Sequence, residues 1–211
     1  MVNVMPRLTV KAAAEMLLVL AYSQARILTE QKHPKQGAQI FRTPYYSTAL
    51  NGIRKYFKEC QDITAIKSAR NKALSLNLES KRENNLRVLT AFEQSDFAKR
   101  VFVVEKNEKI SNSIGTVEFR LSPDLVIEEK KKTRLIYINC RAQMLDSEIA
   151  RLTAEIAHWV TEEVGIELKL NQIEYIDLYT NKTHNFKKRR QKTIKNLTEN
   201  AKLIEAIWPS L

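Results

Sequence analysis

TVEFRLSPDLVIEEKKKTRLIYINCR, residues 116–141, decides the reading of this chain. The strand-like runs Thr116–Leu121, Leu125–Glu128 and Arg134–Arg141 are set apart by Ser122-Pro123-Asp124 and by the charged turn Glu129–Thr133. Alternation within the runs and turn residues between them predict a β-meander. A hairpin centred on Lys131 and Lys132 pairs Asp124 with Asn139, Leu125 with Ile138 and Ile127 with Ile136. Parity then puts Leu125, Ile127, Ile136, Ile138 and Cys140 on one apolar face. On the other face Asp124, Asn139 and Arg141 gather at one end, beside Val126, Leu135 and Tyr137. Pro123 suits the first position of a strand, where no ladder donor is needed.

An acid, an amide and a guanidinium therefore converge. The plain alternative is that Asp124 starts a strand, Asn139 ends one, and Arg141 pairs with a nearby acid such as Asp146. Downstream, Glu155-Ile156-Ala157-His158-Trp159 lies on a helix, QIEYIDLYTNKTHNF (residues 172–186) reads as a strand and turn, and a last helix follows.

Pro123-Asp124 on one strand and Asn139-Cys140-Arg141 on the next resemble the signature of the PD-(D/E)XK nuclease superfamily, and the order of elements downstream is similar to its RecB-like branch. The resemblance spans the C-terminal half, in element order more than in identity. It implies a restriction-endonuclease-like fold, a divalent ion (magnesium or manganese) held by two acids, and a Lys at the phosphate. This chain departs from the signature, with Asn139 for the second acid, Arg141 for Lys, Glu155 for Gln and Trp159 for Tyr. Magnesium prefers hard carboxylate oxygen, and a guanidinium is no base, although it grips a phosphate in two-pronged fashion. The resemblance thus implies a nuclease-like fold with lapsed or weakened catalysis, with an active divalent-metal-dependent nuclease as the alternative. Any surviving metal site would rest on Asp124, with Glu118 or Glu155 replacing the missing ligand. Some RecB-like members add a ligand from an upstream helix, for which Glu83 and Glu93 are the candidates.

The fold class expected is mixed α/β or α+β. A twisted, mainly antiparallel central sheet of four or five strands is flanked by helices on both sides. Residues 1–95 form a helical part packed on a core of residues 96–211, as one compact unit. With 44% apolar and 28% charged residues, the 211-residue chain is of ordinary globular type and long enough to bury a sizeable core. Two cysteines, Cys60 and Cys140, make neither a disulfide framework nor a zinc site, and free thiols in the cytoplasm are expected. The apolar run Ala12–Tyr22 is interrupted by Glu15 and is too short to span a bilayer, so it is read as part of a buried helix.

Charge is distributed unevenly. The net charge is +11, yet residues 111–180 carry −4 while residues 1–60 and 181–211 carry +6 each. Basic flanks around a phosphate-sized site are what a binder of DNA or RNA uses, because neutralised phosphates release counterions. The densest patch is Lys187, Lys188, Arg189, Arg190 and Lys192, continued by Lys195, at the start of the last helix. Cations there oppose the helix macrodipole, a conflict that an anionic partner relieves; a solvated charge run is the alternative. A protein partner is the remaining possibility for these surfaces, and no membrane partner is expected.

Upstream the pattern is helical. One long helix is expected from about Thr9 to Thr29, ended by the polar stretch Glu30–Gln39. A second opens at Thr43-Pro44 with Tyr46, Leu50, Ile53, Phe57 and Cys60 on one face. A third starts near Ile63, and Ser80-Lys81-Arg82-Glu83 reads as a capping box for a fourth. Phe97–Glu105 reads as a strand. Tyr45, Tyr46, Tyr56 and Phe57, among Arg42, Arg54 and Lys55, offer either core packing or a stacking surface for bases. His33, His158 and His184 lack ligand spacing, and four glycines leave no phosphate loop of dinucleotide-fold type.

Overall fold

The computed structural model describes residues 5–33 and 45–211. In chain order the elements are β1 (Arg7–Thr9), α1 (Val10–Met16), α2 (Ala21–Lys32), α3 (Ser47–Lys58), α4 (Ile63–Leu74), α5 (Glu79–Gln94), β2 (Val103–Glu105), β3 (Ile110–Ile114), β4 (Val117–Leu121), β5 (Leu125–Glu129), β6 (Lys132–Asn139), α6 (Ser147–Glu163), β7 (Ile173–Asp177), β8 (Lys182–His184) and α7 (Gln191–Ile207). Five strands form a central sheet in the order β2-β5-β6-β7-β8, and three more form a second sheet in the order β1-β4-β3. In the central sheet only β6 and β7 run parallel. Parallel neighbours need a long crossover, and α6 supplies it.

Both faces of the central sheet are covered. Leu125, Ile127, Ile136, Ile138 and Cys140 share one buried core with Ile53 and Phe57 of α3, Ile66 of α4 and Val88, Leu89 and Phe92 of α5. Leu135, Tyr137, Ile173 and Tyr175 point the other way, into a core shared with α1, α6, α7 and the three-stranded sheet. The expected parity is thus present, with helices on both sides of a mainly antiparallel sheet. Residues 173–177 of β7 are buried throughout, as a strand covered on both faces must be.

Two details of the expected meander differ. Lys130 and Lys131 adopt left-handed backbone (φ 52° and 60°), the conformation of a type I′ turn, so the hairpin closes one position earlier on each strand than expected. Leu125 therefore faces Ile136, and Ile127 faces Arg134, so Asp124 does not pair with Asn139. A shift of two residues in the partner strand leaves every side chain on its expected face. The second difference is that β4 does not neighbour β5. A turn at Gly115 (φ 57°) folds β3 onto β4, and β1 adds in parallel on the other side.

The N-terminal helical pattern also divides differently. The expected helix from Thr9 to Thr29 is two, α1 and α2, because the Gln24 amide donates to Met16 O (2.9 Å) and Val19 O (3.1 Å) and satisfies carbonyls freed at the break. At that corner Leu18, Leu20 and Tyr22 are exposed, so only the first part of the apolar run is buried helix. Ser80 does not cap a helix, since α5 already starts at Glu79 behind Leu78. Within Phe97–Glu105 only β2 pairs as a strand. Phe97 and Phe102 instead join Phe57 and Phe92 in an aromatic cluster. Cys60 is exposed on a left-handed turn rather than on the buried face of α3. The expected opening at Thr43-Pro44, Arg42 and most of the stretch Glu30–Gln39 lie outside the described residues. Among the described residues no helix is long and apolar enough to cross a membrane.

Candidate functional site

Asp124 sits just before β5. Its N–H donates to Ile136 O (2.8 Å), and its Oδ2 accepts the Ile138 N–H (2.8 Å). Two cations face the carboxylate, Lys11 Nζ at 3.8 Å and Arg54 Nη2 at 3.6 Å, while Arg54 Nε also donates to Asp124 O (2.7 Å). Burial opposes the charge on Lys11, but Asp124 and Tyr175 outweigh it and hold the ammonium above its ordinary range. Cations, not a second acid, balance this carboxylate.

Asn139 has a different commitment. Its Nδ2 donates to Asp177 Oδ1 (2.8 Å) and to Gln143 O (3.0 Å), and its Oδ1 accepts the Arg141 N–H (3.1 Å). Asp177 in turn accepts from Leu145 N (3.1 Å), Tyr179 N (3.1 Å) and Thr180 Oγ1 (2.6 Å). Burial pushes this carboxyl up, yet these donors outweigh it and hold it below the usual range. The amide must both donate and accept here, which a carboxylate cannot do. Asn139 and Asp177 thus clip the loop after β6, and Arg87 of α5 supports it by donating to Cys140 O. Beneath it, burial pushes the Cys140 thiol up to about 12, so it is inert at neutral pH.

That loop walls a cleft of about 270 Å³ lined by Lys11, Glu15, Tyr46, Asn139, Arg141 and Tyr175. Tyr45, Tyr46, Arg141 and Gln143 line a wider, more open mouth beside it. The Arg141 side chain is 53% exposed and pairs with Glu15 at 2.6 Å, not with Asp146, whose carboxylate caps α6 through the Glu148 N–H. Tyr45 and Tyr46 meet edge to face at 5.0 Å, whereas Tyr56 and Phe57 belong to the helix-side aromatic cluster. The expected aromatic surface therefore divides: Tyr45 and Tyr46 stand at the cleft, Tyr46 also packing against the helix-side core, while Tyr56 and Phe57 lie in or against that core. Lys11 and Glu15 were not anticipated here. The only local signal was two charges spaced i, i+4 on an apolar helix.

The remaining acids do not join Asp124. Glu118 pairs with Arg7 (2.9 Å) and Arg120 (3.2 Å) on the three-stranded sheet. Glu93 pairs with Arg70, and neither Glu83 nor Glu93 lines the cleft. Glu155 is fully buried, where it accepts from Arg190 N (3.1 Å), Arg190 Nε (3.3 Å) and Thr193 Oγ1. Among the described residues no group of three His, Cys, Asp or Glu is arranged to hold a metal ion. A carboxylate already facing Lys11 and Arg54 does not fit magnesium or manganese, which need several unshared oxygens.

The basic segment is heterogeneous. Arg189 pairs with Glu162 (2.6 Å) and lies 3.3 Å from His158 Nδ1; burial first, then this guanidinium, lower the His158 pKa. Arg190 bridges Glu148 (2.8 Å) and Glu155. Glu155 thus places a negative charge at the N-terminus of α7 and relieves the macrodipole conflict internally. Lys187, Lys188, Lys192 and Lys195 are exposed and make no ion pair among the described residues. Comparison with family models, curated proteins and solved structures finds no significant match to this chain.

Proposed function

We propose that this protein binds nucleic acid in the cleft after β6, as a nuclease-like protein without a working metal centre. One observation carries the reading. The carboxylate at the metal-ligand position faces Lys11 and Arg54, and the amide at the second position is committed to Asp177. What the cleft offers instead is Arg141, a half-exposed guanidinium with one nitrogen paired to Glu15 and the others unpaired among the described residues, beside a tyrosine pair, a combination that suits a phosphate with a base stacked next to it. Lys187, Lys188, Lys192 and Lys195 add sequence-independent affinity, as the phosphate term requires. The two cysteines, both free, are consistent with a cytoplasmic setting.

The test is a fluorescence-anisotropy titration of a labelled single strand with wild-type protein and the Arg141→Gln and Tyr46→Ala variants. Loss of one charged phosphate contact weakens binding roughly tenfold. Equal affinity for all three proteins would sink the proposal. A protein partner is the rival reading, and the exposed corner at Leu18, Leu20 and Tyr22 is what favours it. A pull-down that survives nuclease treatment and is lost in Leu20→Ser/Tyr22→Ser would support that rival.

A further inference from the structure

The helical pair α3–α4 presents a basic surface that the cleft does not use. Residues 47–75 contain six Lys or Arg and two acids, and within α4 there is no acid at all. The exposed face of α4 is made of Thr64, Lys67, Ser68, Asn71 and Lys72, with Ile63 and Leu74 exposed only at its ends. Between the helices runs a groove of about 190 Å³ lined by Ser47, Thr48, Asn51, Lys55, Ser68 and Lys72. Its floor is formed where the helices nearly touch: a Cβ added at Gly52 would lie 2.4 Å from Ala69 Cβ. Lys55 pairs loosely with Glu59 (3.6 Å), and Arg70 is taken by Glu93. Lys67 and Lys72 make no ion pair among the described residues.

The groove and the cleft share α3. Tyr46 and Leu50 line the cleft, while Ser47, Thr48 and Asn51 line the groove, so the two sites lie on opposite sides of one helix near its N-terminus. A helix with its side chains is ~10–12 Å across, so a strand of only a few nucleotides reaches from one site to the other. We infer that the α3–α4 groove holds the phosphate backbone of the nucleic-acid strand whose end or loop occupies the cleft, with Lys55 and Lys72, which line it, and Lys67, on the exposed face of α4 beside it, as contacts. The inference rests on the proposed reading of the cleft. Protein interfaces are enriched in aromatic residues, Met and Arg and depleted in Lys and Ser. This face has the opposite composition, which favours a polynucleotide over an acidic protein. Its donors are hydroxyls, amides and ammonium groups, which select a backbone rather than a base sequence.

The test compares labelled single strands of about 2 and about 20 nucleotides, binding wild type, Lys55→Ala/Lys67→Ala/Lys72→Ala and Arg141→Gln, across a salt series. All three lysines are exposed, so the triple variant keeps its fold. It should bind the short strand as wild type does and the long strand roughly tenfold more weakly. Its salt slope on the long strand should be smaller by about 2, from ~0.7 per lost phosphate contact. Unchanged affinity and slope on the long strand would overturn the inference alone. Wild type binding neither strand would overturn the cleft reading and the groove with it. If the triple variant loses affinity while Arg141→Gln does not, the cleft reading falls, and with it the inference that one strand runs from cleft to groove. Equal competition by poly-glutamate of the same charge would overturn the inference in favour of an acidic protein.

Discussion

Asn139 and Asp177 face each other across the parallel pair β6–β7, with the amide Nδ2 2.8 Å from the carboxylate Oδ1. The amide is therefore a donor that the carboxylate needs. An acid at position 139 would place two carboxylates in contact.

Asn139→Asp should accordingly weaken the fold. A cost of about 2–3 kcal/mol at pH 7 is expected from the lost donors and the unfavourable pair. Part of it returns on acidification, when one carboxyl takes up a proton. Urea unfolding at pH 7 and pH 5, with a manganese-dependent cleavage assay alongside, checks this. An unchanged midpoint together with new cleavage would refute it.

Asp177 makes acid stability legible. Its carboxyl is held below the ordinary range in the folded state. A group depressed on folding contributes stability above its unfolded value, ~3.9 for Asp, and loses that contribution as pH falls through the lower folded value. The stability gap between wild type and Asp177→Asn should be widest near pH 7 and should narrow below about pH 4. A gap that stays constant down to pH 3 would contradict the assignment.

Glu155 anchors α7. Removing it in Glu155→Ala leaves Arg190 without its buried carboxylate and the N-terminus of α7 without its counter-charge, at an expected cost of about 3–5 kcal/mol. Glu155→Gln still accepts from Arg190 N and Thr193 and should cost less. Thermal unfolding decides between this anchoring role and a catalytic one, which would leave both variants near wild-type stability.

The basic segment should behave as two pairs of residues. Lys187→Glu/Lys188→Glu is expected to keep wild-type stability while weakening binding by a similar factor on any sequence. Arg189→Glu/Arg190→Glu instead meets Glu148, Glu155 and Glu162 and should unfold the C-terminal helix. Circular dichroism and anisotropy on both variants separate these effects. Loss of helicity in the lysine variant would count against it.

The strands and the two faces of the hairpin were legible because alternation at Leu125–Ile127 and Ile136–Cys140 reports burial directly. Neighbour choice was not. Nothing near β4 says that it pairs with β1 and β3, since β3 (ISNSI) lacks the apolar alternation that marks a strand and β1 is three residues long. The turn escaped because Lys130-Lys131 lacks the Asn or Gly that usually signals left-handed backbone. At the cleft, Asn139 and Arg141 lie where the end of β6 was read, but the pairing with Asp124 was not met and the partners of all three were not legible. Lys11, Glu15, Arg54 and Asp177 come from distant segments, and only the fold brings them there.

The measurement that bears most directly on the proposed binding of nucleic acid in this cleft is an anisotropy titration of wild type against labelled duplex DNA, single-stranded DNA and RNA. It is run over a salt series, with and without manganese, and the probes are inspected for cleavage afterwards. Binding that falls steeply with salt, is indifferent to manganese and leaves the probes intact is the expected result. Manganese-dependent cutting, or no binding at about 50 mM salt where phosphate contacts are strongest, would contradict it.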